Sequence, residues 1–90
     1  MKKFIVERKL PGAGNMTPEE LQEISTAFTS AISALGKPFT WLLSFITEDK
    51  IYCIHVAENE EDIRLHAKHG NFHVHVIEEI KLVIDPSNAS

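Results

Sequence analysis

An α+β domain with the element order βαββαβ is predicted by three observations. One segment carries a full set of helix-start signals, two β-rich runs flank a short polar connection, and a second capped helix leads into an apolar, β-branched run. Ninety residues suffice for one hydrophobic core but not two, and a hydrophobic content of 43% is ordinary for a globular chain. The reading is therefore a single domain over residues 1–86, with 87–90 as a C-terminal tail.

Lys3 to Lys9 alternates weakly and carries the β-branched Ile5 and Val6, so it reads as a first strand, ended by the turn-rich Pro11, Gly12, Ala13, Gly14, Asn15. Thr17 then opens a helix. Its hydroxyl can accept from the first free amides, Pro18 occupies a position that needs no N–H, and Glu20 completes a capping box. Leu21, Ile24, Ala27, Phe28, Ala31, Ile32 and Leu35 form one apolar stripe at helical spacing, and Gly36 followed by Pro38 ends it.

Trp41 to Thr47 and Ile51 to Ala57 are β-rich runs joined by Glu48, Asp49 and Lys50, which predicts an antiparallel hairpin. Asn59 caps a second helix whose acids Glu60, Glu61 and Asp62 suit a helix start, and Gly70 closes it. Ile63 and Ala67 supply its inward face, and Val76 to Ile84 form the last strand, ending at Asp85 and Pro86. This order is the ferredoxin-like arrangement: a four-stranded antiparallel sheet with both helices on one face. The middle strands are apolar on both sides, so the face without helices needs a cover. A homodimer, with sheets packed face to face or closed by strand exchange, would supply it.

The net charge of −4 leaves no basic surplus to neutralise phosphates, so nucleic acid is not an expected partner. The longest apolar runs are far shorter than a membrane span, and Met1, Lys2 and Lys3 lead into a strand and not into a signal-peptide core. The expectation is a cytoplasmic protein. Its lone cysteine fits a reducing compartment.

Five histidines and that cysteine carry the chemical interest, because imidazole and thiolate hold transition metals. Cys53 and His55 are two apart on one strand and so project from one face. A three-residue loop at 48–50 would set Leu43 opposite His55 and Phe45 opposite Cys53. His66 lies at the border of the second helix's buried stripe, whereas His69 is further round, near the helix C-terminus. His73 and His75 can share one side of an extended segment and chelate weakly at the surface. Glu7 is an acid inside the first strand, which must face water or a cationic partner. Pro11 to Gly14 lacks the third glycine and the distant acid of a dinucleotide fingerprint and reads as a turn, and the serines have no nucleophile context.

Several stretches together carry a family resemblance. They are Ile5, Val6, Glu7, Arg8, Leu10, Pro11 to Gly14, and Thr17 to Leu21; then Trp41, Ser44, Thr47 and Asp49 to Cys53; then Asn59 to Glu61, Ile63, Arg64, His66, Ala67 and Gly70; and finally Val83 to Pro86. Along nearly its whole length the chain resembles the small nickel-binding ferredoxin-like proteins, a family long described only as a domain of unknown function. The resemblance implies a ferredoxin-like homodimer and brings Glu7, Cys53 and His66 forward as metal ligands. Relatives usually have histidine where this chain has Leu43 and an aromatic where it has His55, which suggests that the imidazole has moved to the neighbouring strand while pointing into the same site. The turn after the second helix also departs from the family, with Phe72 and His73 in place of its usual Gly, Phe, Pro.

The leading expectation is thus a metal-binding dimer that holds nickel, or alternatively zinc or copper, through Glu7, Cys53, His55 and His66, in sequestration or response. No reaction need occur. The competing expectation is a dimeric small-molecule binder or enzyme, with an apolar pocket between sheet and helices and a histidine such as His55 as general base. Convergent donors would favour the first, and a roomy cavity with one buried histidine beside Tyr52 or Arg64 the second.

Overall fold

The computed structural model describes residues 1–89. Strands β1 (Lys2–Lys9), β2 (Phe39–Ile46), β3 (Lys50–Ala57) and β4 (Val76–Glu79) form one antiparallel sheet in the order β2-β3-β1-β4, and α1 (Pro18–Leu35) and α2 (Glu60–Gly70) lie between the strands in sequence. The α+β ferredoxin-like expectation is met.

The helix starts form as their sequences dictate. Glu20 donates its backbone amide to Thr17 Oγ1 at 3.2 Å, and Thr17 donates its own to Glu20 Oε1 at 3.1 Å, with Pro18 in the first turn. Asp62 donates its backbone amide to Asn59 Oδ1 at 2.9 Å. The Asp62 side chain is not the solvated acid expected of a helix start: it is buried and pairs with Lys37 at 3.3 Å, which compensates the loss of water. Gly36 ends α1 in the left-handed region, whereas α2 is ended by Asn71 at φ 56°. Gly70 therefore does not close that helix by its conformation. Its lack of a Cβ has another cause, since a methyl there would collide with the Phe72 ring.

The Pro11–Gly14 turn folds onto the β2–β3 connection. Leu10 and Gly14 donate their amides to the carbonyls of Asp49 and Glu48 at 2.8 and 3.0 Å, and Gly12 donates to Asp49 Oδ1 at 2.9 Å. A Cβ on Gly14 would stand 3.0 Å from the Glu48 Cα, so this glycine permits the close approach of two backbones. The glycine pair is a clasp for the hairpin.

That hairpin has a tighter turn than expected. Thr47 pairs with Lys50, Ile46 stands opposite Ile51, and Ser44, not Phe45, stands opposite Cys53. A register irregularity between Trp41 and Leu43 then brings Trp41 opposite His55 and leaves Leu43 opposite Ile54. One residue of register exchanges the faces of a strand. The strand order and burial pattern consequently assign Phe4, Val6 and Arg8 of β1, Trp41 and Ser44 of β2, and Ile51, Cys53, His55 and Ala57 of β3 to the helix-covered side.

The open side carries a row running Phe45, Tyr52, Glu7, Val76, beside Leu43, Ile54 and Ile5. Phe45 is 57% exposed and Leu43 44%, so the second apolar face exists as expected. The last strand is shorter than the apolar run from Val76 to Ile84 predicts. Ile80 donates its amide to the Lys3 carbonyl at 2.7 Å, and β1 begins one residue before Lys3, so the strand offers residues 82–84 no partner. Leu82, Val83 and Ile84 are exposed. Pro86–Asn88 form a short 3-10 turn capped by Asp85, within the stretch expected to be mostly tail; Ser90 lies outside the described residues.

Candidate functional site

The layer between sheet and helices is an aromatic cluster around Phe28. Trp41 meets it edge-on at 5.1 Å between ring centres and Phe72 at 4.6 Å, while Phe39 stacks on His66 at 4.5 Å. His55 and His66 enter this cluster from β3 and α2, with ring centres 5.3 Å apart and no exposed surface. Arg8, with 4% exposure, reaches the same layer from β1.

The hydrogen bonds fix what each imidazole offers. Arg8 can only donate, and its Nη2 lies 3.4 Å from His55 Nε2, so that nitrogen presents its lone pair to the guanidinium. His66 Nε2 lies 3.1 Å from the Phe28 carbonyl and so donates to it, leaving the Nδ1 lone pair without a partner. Burial pushes His55 down to about 3, helped by the positive charge of Arg8 and, in acid where it too is protonated, by His66, and opposed by the Thr40 carbonyl. Burial also lowers His66; the Phe28 carbonyl works against that, and Arg8 and His69 add to it. Both rings are neutral at pH 7.

Cys53 is buried beside them but occupied. Trp41 Nε1 donates to Ser44 Oγ at 2.9 Å, and Ser44 donates to Cys53 Sγ at 3.0 Å, a relay that the sequence reading missed and that depends on the shifted register. The relocation of an imidazole from position 43 to 55 is overturned by the same register: Leu43 lies on the open face and His55 on the helix face.

Glu7 is separated from Cys53, His55 and His66 by the thickness of the sheet. On the open side its carboxylate lies 3.6 Å from His75 Nε2 and 3.7 Å from Lys50 Nζ. His75 also donates its backbone amide to the Glu7 carbonyl at 2.8 Å, and the His73 and His75 rings lie nearly parallel with centres 6.4 Å apart. His69 is exposed in the last turn of α2. Among the described residues, no group of three or more His, Cys, Asp or Glu side chains stands together where one ion could take them all. The inner set brings one free lone pair and a buried adjacent cation, a poor fit to a divalent metal; the outer pair brings a carboxylate and an imidazole that solvent reaches, with the solvent-exposed Lys50 ammonium as the cation an ion would have to displace from Glu7.

A cavity of about 300 Å³ opens between β1, α1 and the segment after α2. His55 is not among its lining residues, Tyr52 lies on the other face of the sheet, and Arg64 is exposed and pairs with Glu60. The arrangement anticipated for a histidine general base is therefore absent from this cavity.

The fold and these histidines define a small ferredoxin-like domain with imidazole donors on both sides of its sheet. The chain belongs to the family of nickel responsive proteins like SCO4226, whose model matches residues 4–80. The crystal structure of SCO4226 from Streptomyces coelicolor A3(2) is similar to it with a TM-score of 0.74 and 16% identity, covering 91% of this chain and 99% of that one. That likeness speaks for the fold. No curated protein sequence matches. Among the described residues, no helix is long and apolar enough to cross a membrane.

Proposed function

We propose that the chain is a cytosolic protein that binds nickel, or a borderline ion such as zinc or copper, in sequestration or response, and that it works as a homodimer joined through the open faces of its sheets. The ion is cargo and no reaction is assigned. The observation that carries the reading is the Glu7–His75 pair, 3.6 Å apart in an apolar face that no helix covers.

A carboxylate and a neutral imidazole are donors that a borderline divalent ion accepts, but two are too few to close its coordination. A second copy brought against the open face would contribute the same two donors by symmetry. It would also cover Leu43 and Phe45 and remove Glu7 from water, a loss that a bound cation offsets. The family to which the chain belongs supports nickel as the ion. Cys53, His55 and His66 are the competing location, disfavoured by the Arg8 guanidinium beside them.

Calorimetric titration of tag-free protein with Ni²⁺, paired with sedimentation velocity, tests this. Glu7→Gln and His75→Ala should abolish binding while His66→Ala retains it, and stoichiometry should follow the dimer. Binding lost only in His55→Ala or His66→Ala would move the site to the interior, and a wild-type protein that takes up no metal would refute the metal reading.

A further inference from the structure

Strand alternation puts Arg8 on the same side as Phe4 and Val6, inside the layer between sheet and helices. Its guanidinium donates to the His73 carbonyl at 3.3 Å and to His55 Nε2 at 3.4 Å, and lies over the Phe28 and Phe72 rings at 5.3 and 5.4 Å. Both hydrogen bonds are longer than the roughly 2.7–2.9 Å of good charge-assisted pairs. Nε has no partner, and none of the ion pairs among the described residues includes Arg8. An arginine cannot shed its proton, so this is a buried cation held only by neutral acceptors and ring faces.

Arg8 is also among the residues that line the cavity of about 300 Å³, whose walls are largely apolar, with Ile24, Ala27 and Phe28 of α1, Ile51 of β3 and Phe72 beside the more polar Asn71 and His73. Lys9 and Glu23 line it as well without an ion pair between them, so the charged side chains around the cavity carry one net positive charge. The volume lies at the small end of the roughly 300–1,000 Å³ usual for ligand pockets.

We infer that this cavity binds a small apolar monocarboxylate, with its carboxylate on the Arg8 guanidinium and a single ring or short aliphatic chain between Ile24, Phe28 and Phe72. A carboxylate supplies the planar acceptor pair that the guanidinium lacks here. A monoanion fits better than a dianion, because Arg8, Lys9 and Glu23 together leave only one net positive charge at a cavity whose walls are largely apolar. This site is independent of the nickel reading, which concerns the other face of the sheet.

The test is calorimetry together with amide chemical-shift mapping, using benzoate and hexanoate as probes and benzamide, hexanamide and phthalate as controls. The two monocarboxylates should bind at roughly millimolar concentration or tighter and shift the amides of Arg8, Phe28 and Phe72, and the uncharged amides should bind at least about tenfold more weakly. Arg8→Met should lose carboxylate binding with the melting temperature unchanged or raised, since it removes an unpaired buried charge. Ala27→Phe, which fills the cavity and leaves Arg8 in place, should also lose it and decides the matter if the Arg8 variant does not fold. Equal binding of acids and amides, binding that survives Ala27→Phe, or no shift at Phe28 and Phe72 with either acid would overturn the inference.

Discussion

Replacing His55 with glutamine should flatten the acid side of the stability profile. The imidazole is fully buried and its pKa is depressed to about 3, whereas in the unfolded chain it returns to 6.5. The unfolded state therefore binds a proton that the native state does not. Above the unfolded value both states are neutral and His55 costs nothing; as pH falls from about 6.5 towards 3, stability declines by about 1.4 kcal/mol per unit. At pH 5, one and a half units into that window, the loss from His55 alone is about 2 kcal/mol, a large share of the roughly 5–15 kcal/mol that holds a domain together. His66, also lowered, adds a loss of the same sign. Glutamine keeps an acceptor for Arg8 but does not titrate. Urea unfolding of both proteins at pH 7.5, 6.5, 5.5 and 5.0 isolates the effect, because any cost of truncation is common to all pH values. Wild type should lose about 2 kcal/mol more than His55→Gln between pH 7.5 and 5.0. Parallel profiles would refute the assignment of His55 as a neutral buried ring.

Gly70→Ala should destabilise by about 1–3 kcal/mol, because the added methyl collides with the Phe72 ring and forces it from its place against Phe28; urea midpoints measure the loss. Thr17→Ala removes the hydroxyl half of the capping box and should cost about 1 kcal/mol, read from thermal melts, with Thr17→Ser restoring most of it.

The elements were legible in the chain because their signals are local. Thr17, Pro18 and Glu20 act within one turn, and Asn59 needs only its own neighbours. The β2 register was not legible, since it depends on whether the turn has two residues or three and on an irregularity near Leu42 that no composition marks. From that single slip followed the error about Leu43 and His55, and the relay through Ser44 to Cys53 went unseen. Arg8 was within reach: it shares parity with Phe4 and Val6, and period-two alternation alone puts it inside. Residue type obscured it, because an arginine in a strand is ordinarily taken for surface. Asp62 was hidden by the same habit, its burial being compensated by Lys37, distant in sequence.

Glu7 and Arg8 are adjacent in the chain, yet the pleat sends one charge to the open face and the other to the interior, and the sheet stands between them. On the readings proposed above, a metal cation and a carboxylate anion would take separate faces, with Glu7 and His75 kept apart from the domain's own arginine. What joins the two sides is the segment after α2. Phe72 lies under the Arg8 guanidinium, the His73 carbonyl accepts from it, and His75 meets Glu7 through both backbone and side chain. Three residues of one short connection, Phe72, His73 and His75, thus reach both faces. A substitution there cannot be local to one site: moving Phe72 alters the cavity and also the path that delivers His75 to Glu7. One short connection therefore has to satisfy the interior and the open face together, and a change made for either constrains the other.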